Sequence, residues 1–328
     1  MAKSKILVTG GAGFIGSHMV KMLLEAGHDV VSLDNLSGGY RDAVTGGAFV
    51  EGDIGDRATL DKLFTAHAVE SVMHFASYIQ VGESAINPRK YYQNNLVNTL
   101  NLLDAMIDHG IKRFIFSSSA AVYGEPEAVP IPETHRKAPI NPYGKSKWMV
   151  EQALHDLDIA HGLKSACMRY FNAAGADPAG KLGERHEPES HLIPLVLRAA
   201  SGELPNVKVF GEDYDTPDGT CIRDYVHVVD LCQAHLLALD RLIGGAESAA
   251  YNLGNGSGFS VREVIASAAR VTGRPVPVVA SPRRAGDPAR LVADSTLAKR
   301  ELGWKPRHDD LDTIIRHAWA WETRTHHS

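Results

Sequence analysis

The sequence predicts an α/β protein with a doubly wound parallel sheet and a smaller C-terminal α/β substrate-binding domain. Short apolar runs typical of buried strands cover 5–10, 29–35, 71–77 and 113–119. Helical patterns alternate with these runs, as in the stretch from about Tyr91, where leucines and an isoleucine recur on one helix face. This alternation implies crossover connections and a parallel sheet that is covered on both faces.

The chain is expected to divide into two unequal parts. Its 328 residues suit one large domain plus a smaller one. From about residue 173 the sequence becomes rich in Gly, Pro and charge, as loops are. We therefore assign residues 1–172 to the large domain and 173–328 to the smaller one, and we expect about 224–254 to rejoin the large sheet.

Composition excludes several classes of partner. The formal net charge is -5, from 34 basic and 39 acidic side chains, and no stretch clusters Lys and Arg as a nucleic-acid site would. The N-terminal apolar run is too short for a signal peptide, and no segment approaches the about 18 apolar residues that span a membrane. Three widely spaced cysteines fit a reducing compartment. We expect a cytoplasmic protein without a nucleic-acid or membrane partner.

A glycine-rich loop joins the first strand to the first helix. Gly10, Gly13 and Gly16 form G-x-x-G-x-x-G, which is typical of a Rossmann-type dinucleotide site where the pyrophosphate rests on the helix N-terminus. A tight turn without a ligand is the alternative. Asp34 ends the second strand and can accept both hydroxyls of an adenosine ribose, which favours NAD over NADP, unless it only caps a turn. Asp53 could approach the adenine in the same way.

A tyrosine and a lysine follow a predicted helix start. Asn141 is a good N-cap and Pro142 fits the first turn. Tyr143 and Lys147 share a face that continues into apolar positions, so the pair is expected at a cleft, although a surface tyrosine would give the same spacing. The face is formed by Tyr143, Lys147, Val150, Leu154 and Leu157.

The pair suits proton transfer from an alcohol. A phenol has a pKa near 10, and a neighbouring ammonium is expected to lower it, as would an oxidised nicotinamide. The phenolate of Tyr143 could then take a proton while a hydride leaves, and Lys147 could hold the nicotinamide ribose. Ser119, after the fourth predicted strand, could relay the proton, whereas Ser117 and Ser118 would satisfy the strand end or line the cofactor.

With these motifs together, the chain resembles the extended short-chain dehydrogenase/reductase family and, within it, the UDP-sugar 4-epimerases, over nearly its whole length. The stretches that carry the resemblance are "VTGGAGFIGSH", "HFASYIQVGES", "YYQNN", "FIFSSSAAVYG", "NPYGKSKWMVEQ", "RYFNAAGADPAGKLGE" and "VFGEDYDTPDGTCIRDYVHVVDL". The resemblance implies that NAD, held by residues 1–172, takes the C4 hydride of UDP-glucose or UDP-galactose and returns it to the other face of a 4-keto sugar.

The resemblance also implies a set of site residues. Catalysis would fall to Tyr143, Lys147 and Ser119. The implied cofactor contacts are Gly10, Gly13, Phe14, Ile15, Gly16, Asp34, Asn35, Asp53, Ile54, Phe75, Ala76, Asn94, Ser117, Tyr143, Lys147 and Tyr170. The implied UDP-sugar contacts are Ser119, Tyr143, Asn172, His191, Leu192, Phe210, Arg223, Tyr225, Arg284 and Asp287. A surface ion pair with Asp224 is the alternative for Arg223. Finally, the resemblance implies a homodimer that packs helices from about Tyr91 and Asn141, for which burial within one monomer is the alternative.

Three positions depart from the family pattern. His191 replaces an asparagine expected near the uracil, and Ile79 stands where some relatives have a lysine near the cofactor. Leu291 falls at a gate of the sugar pocket where a tyrosine is associated with exclusion of N-acetylated sugars. The resemblance therefore leaves a dual-specificity or UDP-N-acetylglucosamine 4-epimerase open.

Other readings fit the residues less well. A sugar-nucleotide 4,6-dehydratase would carry an Asp-Glu pair where this chain has Ala120 and Ala121. A non-catalytic NAD-binding sensor commonly lacks the tyrosine or lysine, and a structural scaffold would leave the arginines idle. The histidines of "GERHEPESH" (183–191) lack convincing further ligands, so we expect a solvated loop and no metal.

Overall fold

The computed structural model describes residues 3–284 and 287–325. Its strands are β1 (Lys5–Thr9), β2 (Asp29–Asp34), β3 (Ala48–Glu51), β4 (Ser71–His74), β5 (Arg113–Ser117), β6 (Lys164–Tyr170), β7 (Asn172–Ala174), β8 (Val207–Phe210), β9 (Ile222–Arg223), β10 (Tyr225–His227), β11 (Ala249–Leu253), β12 (Phe259–Ser260), β13 (Val278–Ser281) and β14 (Arg290–Leu291). Its α-helices are α1 (Phe14–Glu25), α2 (Arg57–Ala66), α3 (Val81–Ile86), α4 (Pro88–Tyr91), α5 (Asn98–Asp108), α6 (Pro142–His161), α7 (Leu192–Ser201), α8 (Val228–Ile243), α9 (Val261–Thr272), α10 (Thr296–Glu301) and α11 (Leu311–Thr325).

The large sheet has seven parallel strands in the order β11-β6-β5-β4-β1-β2-β3. The order reverses between β1 and β4, which is the doubly wound topology that the sequence predicted. Neighbouring parallel strands must be joined by connections that cross over the sheet, and the helices in these connections cover both of its faces. Parallel strands direct their carboxyl ends to one edge, and ligands of such sheets bind there.

Two apolar cores bury the faces of the sheet. On one face, α1 and α8 pack with the buried indole of Trp304 against strand residues such as Val8 and Ile115. On the other face, α2, α5 and α6 contribute Leu60, Leu103 and Val150, among others. The cores explain the near-continuous apolar runs of β1, β4 and β5, which have no solvent-facing side.

A second group of elements lies towards the C-terminus. There α7, α9 and α11 share a core that includes Val196, Val264 and Ile314. Three small sheets accompany it, in the orders β10-β7, β12-β9-β14 and β13-β8. The helix α9 begins with a capping box, in which Ser260 and Glu263 bond each other's backbone N–H groups, and ends at Gly273 in the left-handed region.

The helix predicted from about Tyr91 is interrupted. A π-helical segment, Tyr92–Val97, separates α4 from α5. Within it, the Asn95 amide exchanges hydrogen bonds of 2.9 Å with the backbone N–H and C=O of Tyr78 in the loop after β4. The wider turn delivers this side chain to the strand edge, a use that is common for π-bulges near functional sites.

Among the residues that the structure describes, no helix combines the length and apolar character needed to cross a membrane.

Candidate active site

The glycine loop is shaped to admit a phosphate group. Gly10 has a φ of +73°, and a Cβ there would lie 2.6 Å from the Ala76 nitrogen. A Cβ on Gly16 would lie 2.0 Å from the Gly10 oxygen, so neither position tolerates a side chain. Gly13 is the N-cap of α1 and offers no side-chain bond, which leaves the first N–H groups of the helix available. This cradle fits the pyrophosphate of a dinucleotide.

Polar side chains gather beside the loop at the ends of β2 and β3. The Asp34 carboxylate accepts hydrogen bonds from the Ala12 and Leu36 backbone at 2.9 and 2.8 Å. It therefore does hold a turn, yet each oxygen retains a lone pair that can accept from a ribose. Asp53 accepts from the Asn35 amide at 2.7 Å, so the structure brings the predicted adenosine-side residues together.

Lys147 lies buried at the centre of the sheet edge. Its side chain reaches from α6 to the ends of β4 and β5, where its ammonium donates to Ser77 Oγ at 2.9 Å and to the Ser117 carbonyl at 2.7 Å. The Ser117 hydroxyl and the Tyr170 phenol, at the ends of β5 and β6, lie 2.5 Å apart. An ammonium has three donors, so one remains for a ligand.

Tyr143 and Ser119 face each other beside this lysine. Asn141 caps α6 by accepting from Gly144 N at 2.8 Å, which fixes Tyr143 in the first turn. Ser119 caps a short 3-10 turn and accepts from Ala121 N at 3.1 Å. The Lys147 nitrogen lies 5.9 Å from the centre of the Tyr143 ring. The structure therefore brings all three predicted catalytic residues to one place.

Burial shifts the pKa values of Tyr143 and Lys147 in the protein without a bound cofactor. Burial raises the pKa of Tyr143, while its hydrogen bond with Ser119 acts in the opposite direction. Burial also lowers the pKa of Lys147 from 10.5 to about 7, against the attraction of Glu151. In the protein without its cofactor, desolvation therefore raises the pKa of Tyr143. The lowering of this pKa by Lys147 and an oxidised nicotinamide stays a prediction for the protein with its cofactor bound.

A buried polar network that the sequence analysis missed supports α6. The Glu151 carboxylate accepts from Ser118 Oγ at 2.5 Å and from Arg169 Nε at 3.0 Å. Arg169 also donates to the Tyr123 phenol at 2.9 Å, which donates to Asn252 at 2.7 Å. Glu151 lies four residues after Lys147 on the same helix face, and a charge on that otherwise apolar stripe was the available signal.

The predicted nucleotide-side residues lie around the small sheets. Arg223 forms a short ion pair with Asp287 and donates a hydrogen bond to the carbonyl of the preceding residue, Ile222. The alternative pairing of Arg223 with Asp224 is wrong, because the buried Asp224 carboxylate accepts three backbone N–H bonds instead.

The other nucleotide-side residues also have partners within the chain. The Arg284 guanidinium lies over the Phe210 ring, 3.9 Å from its centre. Asn172 donates to the Asp224 carbonyl at 2.9 Å, and it aligns with Tyr225 where β7 pairs with β10. Leu192 begins α7, directly after His191.

The segment 183–191 differs from its prediction. Instead of a solvated loop, it buries Glu184, and the Glu189 side chain is only 1% exposed. His186 and His191 lie beside these carboxylates. Histidine and glutamate are ordinary residues in a loop, so the sequence did not show that these four side chains converge. The only available signal was the close spacing of the two histidines and the two glutamates along the chain.

The chain is similar to known proteins over nearly its whole length. The model of the NAD dependent epimerase/dehydratase family matches residues 6–254. The UDP-glucose 4-epimerase of Halalkalibacterium halodurans is 51% identical over 98% of this chain and 96% of the relative. The crystal structure of UDP-glucose 4-epimerase from Brucella ovis in complex with NAD has a TM-score of 0.94 and 51% identity, covering 96% of this chain and 97% of that one. The UDP-Glc/GlcNAc 4-epimerase of Campylobacter jejuni has a TM-score of 0.86 and 45% identity, covering 98% and 99%. The chain therefore belongs to the NAD dependent epimerase/dehydratase family and, within it, to the UDP-glucose 4-epimerases.

Proposed function

We propose that the protein interconverts UDP-glucose and UDP-galactose by removing the hydride at C4 of the sugar and returning it to the opposite face of a 4-keto intermediate. Full-length likeness to UDP-glucose 4-epimerases carries the proposal. When bound, NAD supplies the hydride acceptor and donor, so the reaction has no net oxidation. The glycine cradle and the Asp34 carboxylate fit its pyrophosphate and adenosine ribose.

Tyr143 is the proposed base for the 4-hydroxyl proton, with Ser119 as the relay between phenol and sugar oxygen. The proton returns to the sugar oxygen when the hydride does, so one phenol serves both directions. Burial raises the pKa of Tyr143, which keeps the phenol protonated in the protein alone. A positive charge on the bound cofactor, together with charged Lys147, favours the phenolate. The base is therefore active only when the oxidised cofactor is present.

Lys147 has a second proposed role at the nicotinamide ribose. Two of its three N–H donors are already held by Ser77 and Ser117, which aim the ammonium along the strand ends. The third donor suits a ribose hydroxyl. Phe75, Ala76, Asn94 and Tyr170, with the remaining predicted contacts of the glycine loop and of β2 and β3, are proposed to line the same cofactor.

The UDP portion is proposed to bind at Arg223 and Arg284, whose guanidinium groups suit diphosphate oxygens. Asp287 pairs with Arg223 in the structure and Phe210 stacks on Arg284, so both arginines are held in place before a ligand arrives. Because the UDP portion supplies the binding energy, the sugar can be held loosely and can turn over in the pocket. The other proposed UDP-sugar contacts are Asn172, His191, Leu192 and Tyr225.

An isotope experiment tests this reaction. UDP-galactose carrying deuterium at C4 is incubated with the purified protein, and the product is analysed by mass spectrometry and NMR. We expect UDP-glucose that retains the deuterium at C4, because the same hydride is returned. Product that has lost the label to solvent would contradict hydride return, and absence of product would contradict the activity.

A second candidate is a dual-specificity enzyme that also epimerises UDP-N-acetylglucosamine. Leu291 favours it, because leucine is smaller than the tyrosine associated with exclusion of N-acetylated sugars. In the structure Leu291 packs beside Tyr123 and Ile131 and pairs with Arg223 along β14. Parallel assays with both UDP-sugars distinguish the candidates.

Assembly and location complete the proposal. We propose a homodimer built on α6 and the helical stretch from Tyr91, because Val97, Met149 and Ile159 are large apolar side chains exposed on these elements, at 48%, 40% and 75%. Light scattering coupled to size-exclusion chromatography should give twice the chain mass of 35.5 kDa, or about 71 kDa. We further propose the division into residues 1–172, rejoined by about 224–254, and 173–328. A cytoplasmic location fits the three free, buried cysteines.

A further inference from the structure

Four metal-binding side chains converge in the segment that precedes α7. Glu184, His186, Glu189 and His191 each offer one nitrogen or oxygen atom, and these atoms lie within 4.8 Å of one another. The cluster lies behind the start of α1, since the His186 ring meets the Phe14 ring edge-to-face at 6.5 Å. It is not part of the hydride-transfer site around Tyr143, and the reaction proposed above does not use it as a cluster.

The spacing of the donor atoms suits a tetrahedral ion. Zn²⁺ binds imidazole nitrogen and carboxylate oxygen at about 2.0–2.2 Å, which places tetrahedral ligand atoms about 3.3–3.6 Å apart. His186 Nδ1 lies 3.1 Å from Glu184 Oε1 and 3.7 Å from Glu189 Oε1, on either side of that value. His191 Nδ1 approaches the same Glu184 oxygen more closely. Small side-chain rotations would bring all four donors to one centre.

Unpartnered buried atoms give an independent indication of a ligand. The Glu189 side chain is only 1% exposed, and its Oε2 atom is buried without a hydrogen-bond partner. His186 Nδ1 is also buried without a hydrogen bond of regular geometry, although it lies 3.1 Å from Glu184 Oε1. A buried carboxylate oxygen without a partner is costly. Arg185 does not relieve the charge, because its guanidinium pairs with Asp42.

We propose that these four side chains bind one divalent transition-metal ion, with Zn²⁺ as the preferred ion. Two imidazoles and two carboxylates satisfy its preference for nitrogen and oxygen donors. Four protein ligands close the coordination sphere, so the ion has a structural role and activates no water.

The surrounding contacts show what the ion would hold together. His191 precedes the first residue of α7, and the Glu184 carbonyl accepts from the Trp321 indole of α11 at 3.1 Å. A Cβ on Gly183 would lie 2.2 Å from the Trp321 ring, so the segment lies directly on α11. With Phe14 on the other side, the ion would fix the segment between α1, α7 and α11. It would also hold the His191 ring in one orientation at the predicted nucleotide side.

The test uses the full chain without an affinity tag, dialysed against a chelator and then metal-free buffer. Zn²⁺ alone is titrated in competition with a chromophoric chelator, and retained metal is counted by mass spectrometry. We expect about one tightly bound Zn²⁺ per chain and a rise in melting temperature on binding. In the variants His186→Asn and Glu189→Gln, the affinity for Zn²⁺ should fall further than it does when only a residue that supports a metal ligand is lost, which costs about 10–100-fold. His161→Asn, at an exposed histidine on the last turn of α6, should bind as the unaltered chain does.

Diffraction data at the zinc absorption edge supply a readout that does not depend on the variants folding. An anomalous peak among the four side chains supports the proposal. The proposal would be overturned by an anomalous peak elsewhere, by the absence of a tightly bound equivalent of Zn²⁺, or by an equal loss of Zn²⁺ affinity in the His161 variant. The cluster would then be a network of ion pairs only. Because metal content and melting temperature are measured without substrate, failure here leaves the epimerase proposal untouched.

Discussion

Replacing Tyr143 by Phe tests the proposed base with the least disturbance of the fold. The change removes one hydroxyl from a side chain that is only 7% exposed and leaves its ring in place. In the described structure the phenol interacts with the Ser119 hydroxyl, which keeps its separate bond to Ala121 N. The expected loss of folding stability is therefore about 1 kcal/mol or less.

The effect on turnover should be far larger. Positioned general acid–base catalysis contributes about 100- to 10,000-fold, which corresponds to about 2.7–5.5 kcal/mol in the activation barrier. We expect kcat for UDP-galactose to fall by this factor in Tyr143→Phe, while the bound NAD measured after denaturation stays the same. The assay follows UDP-glucose formation through UDP-glucose dehydrogenase and its NADH absorbance.

Tyr123→Phe is the matched control. Its hydroxyl donates to Asn252 and accepts from Arg169 inside the buried network, away from the proposed base. The variant should lose about 1–3 kcal/mol of stability because buried partners are left unsatisfied, with little change in kcat. Near-normal turnover in Tyr143→Phe, or an equal loss of turnover in both variants, would refute the assignment of Tyr143 as base.

Changes at three other positions separate the remaining roles. Asp34→Asn should weaken NAD binding by about 10- to 100-fold and relax discrimination against NADP, because a charged acceptor is lost; equal weakening of both cofactors would mean that only the turn was damaged. The pKa of Lys147 falls to about 7 on folding, so the unfolded chain binds more protons between about pH 7 and 10.5. The stability of the cofactor-free protein relative to Lys147→Met should therefore rise with pH across this window in denaturant unfolding, and a flat or falling difference would contradict the shift. Leu291→Tyr should lower the kcat/KM ratio for UDP-N-acetylglucosamine over UDP-glucose by at least about 10-fold, and an unchanged ratio would remove Leu291 from the gate.

Local sequence rules predicted much of the fold. Short apolar runs identified β1, β2, β4 and β5, whose ends the structure sets one to three residues earlier. The Asn141 cap was also predicted correctly, because a cap depends on neighbours within the next three residues. The position of Ser119 was expected from the rule that parallel strands end at one edge, and that of Tyr143 and Lys147 at a cleft was expected from the polar start of their helix face.

Features that depend on distant partners were not predictable. In the π-helical segment, Asn95 bonds the backbone of Tyr78, seventeen positions earlier in the chain, and no local pattern shows such a partner. The ion pair of Arg223 with Asp287 spans 64 positions, whereas the adjacent Asp224 looked like the simpler partner. The rise in the pKa of Tyr143 in the cofactor-free protein was also not predictable, because burial of this side chain cannot be read from spacing alone.

The most direct test of the central claim is an incubation of the purified protein with UDP-glucose, and separately with UDP-N-acetylglucosamine, without added NAD. Products are separated by chromatography. The first incubation should yield UDP-galactose, because the protein carries its own hydride acceptor. UDP-N-acetylgalactosamine in the second incubation would add dual specificity. If UDP-glucose yields no UDP-galactose even after NAD is supplied, the proposed epimerase function is contradicted.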